Sequence, residues 1–194
     1  MNLADYLDRL LYRYSGTFTI SQPYDIHGKT YPAYGYFFSQ VEKYVLVREA
    51  NLWTQNSYEH ILFLTAEEIM AEQVAEADDL IHNYMEPELV LQGRPYPERE
   101  HMYSYMTVAF LSEKPIAKEV RRKIKHYSYD RGYQMNMRGF CQARLVAASM
   151  EDQKVCTNFA ARKLKELYRS VFQDVTAGKP GLSHRLTEIE NRRD

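Results

Sequence analysis

The sequence predicts an α+β fold with a twisted, largely antiparallel sheet and about three main helices packed mostly on one face. Apolar residues recur with helical spacing in three long segments, 3–14, 65–84 and 160–175. Shorter segments alternate apolar and polar residues as strands do. Because the connections between the first strands are short, those strands are expected to pair antiparallel.

Chain length and composition fit one domain. The chain has 194 residues, of which 45% are hydrophobic and 26% charged, and both values are ordinary for a globular protein. A chain of this size buries about two-thirds of its unfolded surface, so it folds without a disulfide or a metal. Breakers and charged residues follow the last helix, which predicts a single α+β domain over 1–175 and a charged C-terminal tail over 176–194.

The first half is predicted to contain a helix, four strands and an acidic helix. The first helix covers Leu3 to Tyr14, with leucines and tyrosines on one face. Thr65 and Glu68 have the spacing of a capping box, which predicts that the acidic helix starts at Thr65 and ends near Tyr84. The strands are expected around residues 18–20, 34–38, 44–53 and 60–64.

The second half begins with a Pro/Gly-containing connection over 85–100, the segment we expect to be the most mobile within the chain. Residues 102–111 are apolar on both faces and predict a central strand. The remaining elements are predicted as a short basic helix over 116–124, strands over 127–137 and 140–148, a turn near 151–152, a strand at 155–156 and a helix over 160–175.

Two features predict a cytoplasmic location without membrane contact. No apolar run reaches the roughly 20 residues of a membrane helix, and the first residues lack the basic and apolar regions of a secretory signal. The two cysteines, Cys141 and Cys156, are placed on neighbouring strands with Cys156 opposite a residue near Val146. Since that register separates the cysteines beyond the reach of a disulfide, free thiols are predicted.

Charge is divided unevenly along the chain. Residues 1–113 hold 17 acidic and 7 basic residues, whereas residues 114–169 hold 5 acidic and 14 basic residues. One interpretation is that the two parts lie against each other in the fold and attract. The other is that the basic part forms an outward face for an anionic partner. Exposed pairs contribute only about 0–1 kcal/mol each, so the first interpretation implies no partner.

No spacing in the sequence indicates a metal site or a phosphate-binding loop. The six histidines form none of the usual zinc motifs, and the glycines stand singly between bulky residues. The polar pair Arg48 and Glu49 interrupts an apolar strand. In the functional interpretation, Glu49 binds a metal in a nuclease-like core, with Glu100 and Lys114 as its companions. In the preferred interpretation, the strand leaves the core at this point and exposes Arg48 and Glu49 to solvent.

Seventeen tyrosines are the strongest compositional feature. Aromatic residues interleaved with bases can stack nucleobases along a strand face, and they can equally be core tyrosines with hydrated hydroxyls. The candidate binding residues for the first interpretation are Arg131, Arg138 and Arg144, two of which are spaced for one strand face. The tyrosines near these bases are Tyr127, Tyr129 and Tyr133.

Several short phrases resemble a set of small bacterial proteins, mostly from clostridial-type genomes, that are known only as a domain of unknown function. The resemblance covers most of residues 1–173 in order. It implies a cytosolic bacterial origin and no activity. The phrases are Glu42-Lys43-Tyr44-Val45-Leu46-Val47 through Trp53, Tyr58-Glu59-His60, Glu100-His101-Met102, Arg138-Gly139-Phe140 and Thr157-Asn158.

The preferred function is therefore a non-catalytic cytosolic binding or protein-interaction module without a cofactor, whose partner is another protein or a second copy of the chain. The first alternative is a metal-dependent hydrolase or nuclease-like enzyme with a metal site assembled by the fold. The second is a single-stranded nucleic-acid binder that uses the Tyr/Arg strand face, and the sequence pI near 6.6 argues against it.

Overall fold

The computed structural model describes residues 1–43 and 53–184. Its centre is a seven-stranded sheet in the order β1-β4-β5-β6-β8-β7, with β9 paired to the same strand, β8, as β7 is. The hairpin of β2 and β3 forms a separate small sheet. The strands are β1 (Thr19–Ser21), β2 (Tyr24–Ile26), β3 (Lys29–Tyr31), β4 (Ala33–Lys43), β5 (Trp53–Ala66), β6 (His101–Ser112), β7 (Asp130–Gly132), β8 (Phe140–Ser149) and β9 (Val155–Thr157).

The sheet is mixed, so the prediction of a largely antiparallel sheet was wrong. β4 pairs antiparallel with β5, so residues 34–38 lie directly beside 58–62 rather than two strands away as the predicted succession of strands implied. β5, β6 and β8 run parallel to one another. Parallel neighbours need a crossover of about a dozen residues or more. Residues 67–100 and 113–139 supply two such crossovers. The central position predicted for 102–111 is confirmed, because β6 is paired on both sides.

Helices cover both faces of the sheet, which corrects the prediction of about three helices mostly on one face. Along β5, Ile61 and Phe63 contact one apolar cluster while Leu62 and Leu64 contact the other. The first cluster includes residues of α1 and α4, and the second includes residues of α2, the π-helix and α3. The helices described are α1 (Leu3–Tyr14), α2 (Ala71–Leu80), a π-helix (Ile81–Val90), α3 (Lys118–His126) and α4 (Lys165–Thr176), with a short 3-10 turn at Arg162–Leu164.

Helix starts were harder to predict than helix interiors. α1 has the predicted bounds, and the Asn2 side chain caps it by accepting from the amide of Ala4. The capping box at Thr65 was wrong, because β5 continues to Ala66 and Thr65 pairs with β6. α2 begins instead at Ala71.

The predicted connection over 85–100 begins inside a helix. The π-helix continues to Val90 and holds Pro87 within it. A proline inside a helix has no amide to donate and its ring clashes with the preceding turn, so a regular α-helix is not expected around Pro87. Glu86, the residue before the proline, is buried.

The predicted strand over 127–137 is reduced to β7. After Gly132 the chain turns through Gln134, Met135 and Asn136, all with positive φ. After α4, Leu182 is buried with α1 and α4, and Ser183 donates to Asp8. Part of the predicted tail therefore packs on α1.

Candidate functional site

A groove of about 370 Å³ opens where α3, β9 and the start of α4 meet. β9 runs along the edge of the sheet, α3 lies against it from one face and α4 from the other. The apolar wall comes from Ile116, Val155 and Cys156. The remaining lining residues described are Arg121, Lys125, Ser149, Gln153, Lys154, Thr157, Lys165 and Arg169.

Asn158 fixes this geometry. Its side-chain oxygen accepts from the amides of Leu145 and Ala161, and its amide nitrogen donates to the carbonyls of Ala143 and Tyr127. Leu145 and Ala143 lie on β8, Ala161 leads into α4, and Tyr127 lies just after α3. Because the side chain is buried, losing it would leave several polar backbone groups unpaired. One residue therefore ties together all the elements that form the groove.

The groove is strongly basic. Five of its lining residues are Lys or Arg, and none of those described is acidic. Lys154 pairs with Asp152 at 3.0 Å and Arg169 with Glu166 at 2.9 Å. Both pairs are exposed and contribute little.

The other three bases have no acidic partner in the part of the chain that the structure describes. Across residues 1–43 and 53–184, no ion pair and no side-chain hydrogen bond involves Arg121, Lys125 or Lys165. Three positive charges therefore converge on one groove without a counter-charge from the described residues.

Cys156 reports the field of these bases. Burial raises the pKa of its thiol to about 11, while Arg121, Lys125 and Lys165 act in the opposite direction. Burial prevails, so the thiol is protonated at neutral pH and is a poor nucleophile. The opposing effect nevertheless shows that all three charges are felt at the floor of the groove. The arrangement suits binding of an anion rather than covalent chemistry.

The predicted arginines are not brought together. Arg131 of β7 pairs with the Glu86 carboxylate at 2.9 Å, and the hydroxyls of Tyr129 and Tyr133 donate to the same carboxylate. Glu86 and Tyr133 are buried, whereas the Arg131 side chain is largely exposed. The cluster lies on the face of the sheet covered by the π-helix. Arg138 precedes β8 and donates to the carbonyl of Pro97.

Arg144 lies on the opposite face of the sheet from Arg131. Its guanidinium sits 3.3 Å from Glu59 and 3.2 Å above the ring centre of Tyr105. Burial raises the pKa of Glu59, against the effect of Arg144. The tyrosines proposed for base stacking are held elsewhere, since Tyr127 donates to Asp78 and the other two to Glu86.

Arg48 and Glu49 lie outside the described residues. Of the companions proposed for Glu49, Lys114 pairs with Glu67 at 2.5 Å. Within the described ranges, no group of three or more His, Cys, Asp or Glu side chains is placed to hold a metal ion. Nor does any helix there have the length and apolar character needed to cross a membrane.

Sequence reasoning also missed two buried histidines, His101 and His60, which have separate partners. The Nδ1 atom of His101 lies 2.8 Å from the carbonyl oxygen of Arg138. Because a carbonyl oxygen can only accept, Nδ1 must carry the proton and donate. Its Nε2 then accepts from the Ser104 hydroxyl at 2.8 Å. His60 contacts Tyr34 through Nδ1 at 2.6 Å. No spacing motif indicates either site, because Arg138 and Tyr34 lie far from the two histidines in the sequence.

Residues 2–170 match the sequence profile of the family described as Domain of unknown function (DUF8052). The chain belongs to this family. No curated protein and no solved structure matches it.

Within this DUF8052 chain, two of the phrases that carried the resemblance, Glu100-His101-Met102 and Arg138-Gly139-Phe140, meet in space. Gly139 has a φ of +70°, and a Cβ there would come within 2.2 Å of the Met102 carbonyl oxygen. Together with the contact from His101 to Arg138, this joins the starts of β6 and β8. Asn158 shapes the groove as described above. These phrases therefore account for how the sheet and groove are built.

Proposed function

We propose that the protein is an interaction module that binds an anionic partner in the groove between α3, β9 and α4. One observation carries the proposal: Arg121, Lys125 and Lys165 converge there without an acidic partner among the described residues. Unpaired like charges repel one another, and a bound anion would remove that repulsion. The proposal agrees with the preferred function from the sequence and refines where the partner binds.

The two alternative functions have less support. A metal-dependent hydrolase would need ligands that the described residues do not bring together. A nucleic-acid binder using the predicted strand face would need Arg131 and Arg144 on one side of the sheet, and they lie on opposite sides. A nucleic acid bound in the groove itself is an outcome of the experiment below.

The cytosolic location belongs to the same proposal. Cys141 and Cys156 are both buried free thiols, as is usual in a reducing compartment. A bacterial origin is inferred from the resemblance of the sequence phrases alone.

Calorimetric titration with hexaglutamate tests the proposal. We expect binding at about 0.05 M salt that weakens clearly at about 0.15 M salt, because each ion contact releases counterions. The triple variant Arg121→Ala, Lys125→Ala, Lys165→Ala should lose at least about 10-fold in affinity, equivalent to about 1.4 kcal/mol.

The matched control is Arg122→Ala, Lys123→Ala, Lys163→Ala, which removes the same charge from exposed positions outside the groove. Its affinity should stay within about 3-fold of the parent protein, because these exposed side chains do not line the groove and are screened by salt. Equal losses in both variants would mean that only net charge matters and would refute the groove. Tighter binding of a single-stranded oligothymidylate of equal charge would favour a nucleic-acid partner instead.

A further inference from the structure

We infer that the groove takes an extended acidic peptide, which joins the sheet as an additional strand along β9; this inference rests on the proposed function. Charge alone would serve any anion. Two geometric features select an extended peptide: the free edge of β9 and the position of that edge between the bases of α3 and Lys165 of α4.

The outer edge of β9 has unused backbone groups. The amide of Ser149 donates to the carbonyl of Lys154, and the amide of Asn158 donates to the carbonyl of Leu145, each at 3.0 Å. Residues 154 and 158 therefore point their backbone groups toward β8. Since these directions alternate along an antiparallel strand, those of Val155 and Thr157 point away from β8, into the groove.

No described residue pairs with that edge. β9 has one strand neighbour, β8, and the outward groups of Val155 and Thr157 make no hydrogen bond to other described residues. An unpaired strand edge is a template for an added strand. The edge spans three residues, or about 10 Å, so a short segment suffices.

The side chains of an added strand would meet both helices. Successive side chains of a strand point to opposite faces of the sheet. Because α3 and α4 flank β9 from opposite faces, one acidic residue would meet Arg121 and Lys125, and the next would meet Lys165. The ligand is therefore a peptide with consecutive acidic residues. A peptide without acidic residues would leave the three bases unpaired and would be disfavoured.

Backbone N-methylation separates strand pairing from charge attraction. Three hexaglutamate peptides of equal charge are compared: unmodified, N-methylated at alternate residues, and N-methylated throughout. Alternate methylation leaves one free strand edge, whereas full methylation places a methyl group on both edges and prevents pairing. We expect the alternate peptide to bind within about 3-fold of the unmodified one and the fully methylated peptide at least about 10-fold more weakly.

Amide hydrogen exchange provides a second measurement. The amides of Val155 and Thr157 should exchange more slowly when unmodified hexaglutamate is bound, since the peptide would then accept their hydrogen bonds. The amide of Cys156, which already faces β8, is the internal control and should change little.

The outcomes separate this inference from the proposed function. Equal affinity for all three peptides, with loss in the Arg121, Lys125 and Lys165 variant, would refute strand addition and leave anion binding in place. Equal loss with both methylated peptides would also refute it, because one free edge should be enough. No binding of unmodified hexaglutamate at low salt would overturn both.

Discussion

Acidification should destabilise the protein through His60. This side chain is 4% exposed, and burial lowers its pKa from 6.5 to about 4. Its neighbours are the rings of Tyr34 and Tyr36 and the Tyr34 hydroxyl, and no charged group contributes to the shift. The folded protein therefore keeps His60 neutral under conditions that protonate it in the unfolded chain.

The direction and size of the effect follow from linkage. Between the two pKa values the unfolded chain binds one more proton than the folded protein, so the free energy of unfolding falls as pH falls. At about pH 5 the loss is about 2 kcal/mol relative to pH 7.5, since each unit corresponds to about 1.4 kcal/mol. The loss should level off below about pH 4, where both states are protonated.

Urea denaturation of the parent protein and of His60→Asn over this pH range provides the measurement. Asparagine keeps a group that accepts from Tyr34 and does not titrate. Other groups contribute equally to both proteins, so the difference between their unfolding free energies isolates His60. That difference should shrink by about 2 kcal/mol between about pH 7.5 and pH 5. Parallel pH profiles would refute the assignment of a buried, neutral His60.

Three further outcomes follow from the packing. Gly139→Ala should lower the free energy of unfolding by about 2 kcal/mol or more, because the new Cβ meets the Met102 carbonyl. Gly178→Ala, which has the same left-handed backbone but open space around it, should lower it by only about 1 kcal/mol, and equal losses would contradict the close approach at Gly139. In urea denaturation, Phe172→Ala should lower the free energy of unfolding by about 3–5 kcal/mol, because Phe172 is buried. Leu167 is half-buried, so Leu167→Ala should lower it by less than half as much, and the reverse order would mean that α4 is rotated. The two cysteines should react slowly with a thiol reagent in the folded protein, since both are buried and have raised pKa values. Both should react fully after unfolding without reductant, and fewer than two reactive thiols per chain would contradict free cysteines.

Elements with a strong local pattern could be predicted from the sequence. α1 combines apolar spacing with an N-cap and a stop, so local preference and packing agree on its bounds. The strand β6 is apolar on both faces because helices cover both sides of the sheet there. The same observation, applied to the whole sheet, would have predicted helices on both faces.

The direction of strands could not be predicted in this way. Residues 67–100 contain a helix whose second part is a π-helix with an internal proline, and the proline was interpreted as the sign of a loop. The predicted helix over 65–84 and connection over 85–100 were long enough for a crossover between parallel strands, but strand direction was inferred only from the short connections of the first strands. Thr65 misled the prediction for a related reason, since a good N-cap residue is also a good strand residue.

The candidate site was predictable as a region and not as a set of residues. The excess of bases over 114–169 allowed an outward basic face as one of two interpretations, and the proposed groove draws its bases from this segment. Choosing Arg131 and Arg144 assumed that bases near tyrosines face outward, whereas both are paired with glutamates in the fold. Arg121 and Lys165 are far apart in sequence and become neighbours only because α3 and α4 flank β9.

The division of charge along the chain can now be interpreted physically. Among the described residues, three ion pairs join the basic segment to the acidic half, through Lys114, Arg131 and Arg144. The bases of the groove take no part in this neutralisation among the described residues. Their mutual repulsion opposes folding slightly, and a ligand that binds only the folded protein must stabilise it in proportion to its affinity. Hexaglutamate should therefore raise the melting temperature at low salt, and the same peptide should have no such effect on the variant in which Arg121 and Lys165 are replaced by alanine together with Lys125.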